Sequence, residues 1–77
     1  MQIVELEENI LKDSAVELII QSSSRDLQIL CYILESFEGY CNYSTIDKQK
    51  SIIRIVCPKD FAPEVKKIIS YLRNFSY

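Results

Sequence analysis

Three consecutive serines, Ser22–Ser24, followed by Arg25, are the cluster in this sequence with the makings of an anion site. They stand where a strand pattern gives way to a helix pattern. A helix amino terminus offers open N–H groups and the positive end of its dipole to a carboxylate or phosphate. The same serines also read as a helix cap, with side-chain oxygens accepting from those N–H groups and Arg25 solvated. Cys31, Cys41 and Cys57 carry thiol chemistry. Metal binding takes three or four converging ligands, and the chain has no histidine to complete a set. The odd number of cysteines and the absence of C-x-x-C spacing predict reduced, partly buried thiols, with Cys41 and Cys57 neighbours across a hairpin. Without histidine the commonest general base is missing, and so are Ser–His and Cys–His pairs. One glycine cannot build a glycine-rich phosphate loop. Glu35 and Glu38 share a helix face near a carboxyl end whose dipole disfavours them, and pairing with a nearby lysine accounts for them. No enzyme, cofactor or metal is expected.

The elements that position these residues follow from periodicity. Residues 15–21, AVELIIQ, read as a strand with Val16, Leu18 and Ile20 on one face and Ile19 on the other. Residues 25–38 read as a helix, because Leu27, Leu30, Cys31 and Leu34 recur at i, i+3, i+4 and i+7. Gly39 stands where a carboxyl-terminal cap is wanted. Residues 40–46 and 51–57 read as two strands around the turn Asp47–Lys50, with Ile53, Ile55 and Cys57 on the covered side. Val65, Ile68, Ile69 and Leu72 repeat the helical stripe after Pro63, with Asp60 as the expected cap. Over residues 1–12 a helical stripe and a short strand fit equally well.

The resulting order is β-α-β-β-α, an α+β two-layer sandwich with two helices on one face of an antiparallel sheet. The crossover rule gives the sheet order 1-3-2. This is a ferredoxin-like arrangement with its last strand missing, and residues 3–7 could take the vacant place. Residues 1–14 are an amino-terminal extension and residues 15–77 a single α/β domain. Seventy-seven residues with a net charge of −2 give a thin core and nothing to draw the chain to a phosphate backbone. Tyr40, Tyr43 and Arg54 are too sparse for a stacking surface, so no nucleic acid is expected. The amino terminus has no signal-peptide pattern and no run long enough for a bilayer, which predicts a cytoplasmic protein without a membrane partner.

The run Asp26, Leu27, Leu30, Ile33, Leu34, Glu35, Ser36, Phe37, Glu38, Gly39 resembles the signature of a family of short bacterial domains of unknown function. The resemblance covers roughly residues 16–75 and implies no activity. In topology the chain is also similar to ACT-type sensing domains, which bind amino acids where the first strand meets the first helix, helped by a glycine. This chain has Ser22–Ser24 and Arg25 there, and no glycine.

Two readings follow. In the first, the domain is an interaction module that forms a homodimer. Ile19, Ile52 and Val56 would lie together on the sheet face that the helices leave uncovered, and the strand of residues 15–21 would be an open edge for a second copy. In the second, Ser22, Ser23, Ser24 and Arg25 bind a small anionic ligand such as an amino acid.

Overall fold

A computed structural model of the chain describes residues 2–36 and 41–74. The elements run β1 (Ile3–Ile10), β2 (Val16–Ser22), α1 (Ser24–Glu35), β3 (Asn42–Asp47), β4 (Ile52–Cys57) and α2 (Ala62–Arg73). The fold is a small α+β sandwich, as expected, but its sheet has four antiparallel strands in the order β1-β2-β4-β3. This corrects the three-stranded order 1-3-2. Residues 3–10 form a full strand beside β2, so β2 is a central strand and has no open edge. No helix among the described residues is long and apolar enough to cross a membrane.

The alternation in β2 and β4 dictates the core. Val16, Leu18 and Ile20 are buried, as are Ile53, Ile55 and Cys57 opposite them. Leu30 and Leu34 of α1 and Val65, Ile69 and Leu72 of α2 close over this face. Burying a residue of this size contributes roughly 1.5–3 kcal/mol, so the central strands and the two stripes supply most of the apolar stabilisation.

β1 joins with little burial: Ile3 is its only buried residue. Beyond Ile3, which joins the core, polar bonds tie it to α2. Lys66 of α2 bonds the Glu8 carboxylate, with 2.7 Å to Oε1, and Arg73 Nε donates to the Ile3 carbonyl at 3.2 Å. Both edge strands are bulged, β1 between Glu5 and Glu7 and β3 between Thr45 and Asp47.

Two turns use serine where a left-handed backbone is required. Ser14 has φ 69° and Ser51 has φ 55°, a region that costs a non-glycine residue roughly 1–2 kcal/mol. At the start of α2 the cap position is Phe61, with no side-chain bond, in place of the expected Asp60. The carbonyl of Pro58 accepts from the N–H groups of Phe61 and Ala62 at 3.0 Å each, so the turn itself supplies the acceptor that a capping aspartate would have given. Pro63 lies in the first turn, where its missing N–H costs nothing. Gly39 and its expected capping role lie outside the described residues, as do Phe37, Glu38 and Tyr40.

Candidate functional site

The serine cluster is a junction within the chain. Ser23 is the cap of α1, and its hydroxyl oxygen accepts from the Asp26 N–H at 3.2 Å. Ser22 is buried; its hydroxyl donates to the Gln2 carbonyl at 2.6 Å and its N–H to the Ser51 carbonyl at 3.1 Å. The hydroxyls of Ser24 and Ser51 share a bond of 3.3 Å. Asp26 is buried too, and its carboxylate accepts from the Gln2 N–H at 2.8 Å. All three serine hydroxyls are thus engaged by the chain's own groups, which tie the start of β1 and the β3–β4 turn to the start of α1. Arg25 lies exposed beside them. A depression of about 320 Å³, lined by Gln2, Val4, Gln21, Ser22 and Ser23, adjoins this junction.

The uncovered face of the sheet is the second candidate. Ile19, Ile52 and Val56 all lie on it and are half-buried. They do not stand directly opposite one another. Ile19 pairs with Arg54, Ile52 with Gln21, and Val56 with Glu17, so the apolar residues alternate diagonally with polar ones. At the centre Arg54 Nε bonds the Glu17 carboxylate, and Asn9 donates to the same carboxylate at 3.0 Å. The bonds from Arg54 and then Asn9 hold the Glu17 carboxyl below its ordinary range. Arg54 is the sole basic residue within β4, and Glu17 the sole acid within β2. That pairing could have been found from the sequence once the register of the two strands was known.

Elsewhere, Tyr43 of β3 donates its phenol to the Glu35 carboxylate at the end of α1, at 2.5 Å. That bond pushes the Tyr43 pKa up to about 12. Glu35 therefore finds a tyrosine where the sequence suggested a lysine. Cys31, Cys41 and Cys57 are free thiols, each raised above its ordinary pKa by burial, and Cys57 further by the neighbouring Cys41. Another depression, of about 520 Å³, lies at the opposite end of the sheet from the serines, between Asp13, Asn42, Cys57, Lys59 and Asp60. Among the described residues no group of three His, Cys, Asp or Glu side chains could hold a metal.

No curated protein and no solved structure matches the chain. A family model does match, over residues 20–75, a stretch that holds α1, β3, β4 and α2. The chain belongs to that family, the Domain of unknown function (DUF4911).

Proposed function

We propose that this domain binds rather than catalyses, and that it is a self-associating module whose two copies meet through the uncovered sheet face around Ile19, Ile52 and Val56. One observation carries this reading: both helices pack on the same side of the sheet, and the central strands leave these three residues on the other side. The bulges in β1 and β3 support a face-to-face contact, because they bend each edge away from the regular ladder that edge pairing needs. The charges support a second copy as the occupant. Glu17 and Arg54 are side by side at the centre, so a twofold axis there brings each Glu17 within reach of the other copy's Arg54.

The size of the face sets the strength. Four strands about 4.8 Å apart, six to eight residues long at about 3.3 Å per residue, cover about 400 Å² per copy, or about 800 Å² for the pair. Stable interfaces bury roughly 1,200–2,000 Å², so the dimer is weak and reversible. Sedimentation equilibrium from about 10 μM to about 1 mM tests this. The wild type should show a concentration-dependent monomer–dimer equilibrium, and Ile19→Glu should remain monomeric. A wild type that stays monomeric throughout, or an Ile19→Glu variant that associates equally well, refutes it.

The strand order also supports a ferredoxin-like reading of the fold. With β1 beside β2, residues 3–10 occupy the place of that arrangement's last strand while coming first in the chain. The small-ligand reading is favoured by the depression beside Ser22 and Ser23 and opposed by the internal partners of all three serines. A thermal shift with inorganic phosphate or an amino acid, lost in Arg25→Ala, would reinstate it.

A further inference from the structure

The β3–β4 ladder ends at the pair Asn42 and Val56. One residue further along each strand is a cysteine: Cys41 precedes Asn42 and Cys57 follows Val56. Directly opposed residues of an antiparallel pair have Cα atoms about 4.5 or 5.5 Å apart, and a disulfide spans roughly 4.4–6.8 Å. Side chains alternate along a strand, so Cys41 and Cys57 fall on the same face as Tyr43 and Ile55. Burial agrees, since Cys57 is 1% exposed within the core and Cys41 packs against that core.

We propose that Cys41 and Cys57 are a cross-strand thiol pair that a low-molecular-weight disulfide, such as oxidised glutathione, converts to an intrachain bridge. Cys41, the more exposed thiol, loses its proton and attacks one sulfur of the small disulfide. One small thiolate leaves, and a mixed disulfide remains on Cys41. Cys57 then loses its proton and attacks the Cys41 Sγ, expelling the second small thiol. Two protein thiols are oxidised by two electrons, and one small disulfide is reduced to two thiols. Burial keeps both thiolates scarce, so the exchange is slow, and the fold selects the product.

That selection can be measured against the unfolded chain. There the separations of ten residues for Cys31–Cys41 and sixteen for Cys41–Cys57 favour the first bridge about twofold by loop closure alone. The experiment treats the full chain with oxidised glutathione in native buffer and in urea, then alkylates it and maps the bridges by mass spectrometry. In native buffer the Cys41–Cys57 bridge should dominate with Cys31 alkylated, and Cys31→Ser should form the same bridge. In urea the preference should disappear. The bridged protein should melt roughly 10–25 °C higher than the reduced one. A stable mixed disulfide on Cys41, a Cys31–Cys41 bridge or three alkylated thiols in native buffer would overturn the proposal. So would a lowered melting temperature, the sign of a bridge formed only by distorting the ladder.

Discussion

Replacing Asp26 with alanine should cost this domain a large share of its stability, because it removes a buried, hydrogen-bonded carboxylate. Its carboxylate is buried in the first turn of α1 and accepts from the Gln2 N–H at 2.8 Å. A hydrogen bond to a charged group contributes about 1.5–3 kcal/mol. A negative charge at a helix amino terminus adds about 0.3–1 kcal/mol. The loss is therefore about 2–4 kcal/mol. A chain of this length has about 4–12 kcal/mol in total, and each kcal/mol moves the midpoint by about 4–8 °C at this size. The melting temperature should fall by roughly 10–25 °C. Urea unfolding followed by circular dichroism measures the loss, and amide exchange locates it, since the Gln2 N–H should lose protection first. Asp26→Asn keeps an acceptor oxygen and should fall between the two. If Asp26→Ala lies within about 0.5 kcal/mol of the wild type, the range of an ordinary surface change, the carboxylate does not anchor β1 and the reasoning fails.

The remaining predictions concern β1 and Tyr43. Removing residues 2–13 deletes β1 and its bonds to Lys66 and Arg73, and leaves β2 as an unpaired edge. The shortened chain should lose its cooperative melt and scatter light on warming, although the family match over residues 20–75 is untouched. Ultraviolet titration should show a tyrosine transition at about 12 that is absent in Tyr43→Phe. Because the folded state raises this pKa, the Tyr43–Glu35 bond stabilises fully below the ordinary tyrosine range near 10. Its contribution falls as pH rises from about 10 towards about 12. Unfolding by urea at pH 8 and pH 11 should show the wild type losing more stability than Tyr43→Phe.

The central strands and both helices were legible because their apolar spacing is regular and their core is shared. The i, i+3, i+4, i+7 stripe through Leu30 and Leu34 and the alternation through Leu18 and Ile20 or Ile53 and Ile55 each lead to buried residues. β1 was not legible, and its bulge explains why. Ile3 and Glu5 pair across from helix-facing residues of β2, but after Leu6 the phase shifts and Glu8 and Ile10 take that face. Period-two reading fails across such a shift. Leaving residues 1–12 undecided gave a three-stranded order in place of the four-stranded one, and with it the expectation of an open edge on β2. It also hid the partners of the serine cluster. The bonds from Ser22 and Asp26 to Gln2 join residues 20 and 24 positions apart, and local sequence holds no record of them. The cap at Asp60 failed for a different reason: a backbone carbonyl at Pro58 already meets the N–H groups it would have served.

The element order has a consequence for when a binding surface exists. The chain is built as strand, strand, helix, and then strand, strand, helix again, with β1–β2 and β3–β4 as two local hairpins. The halves meet along β2 and β4. Glu17 and Ile19 come from the first half, and Ile52, Arg54 and Val56 from the second. The candidate face therefore straddles the seam, and neither hairpin carries it alone. A nascent or half-melted chain has nothing for a partner to read, so association through this face would act as a checkpoint on the joining of the two halves.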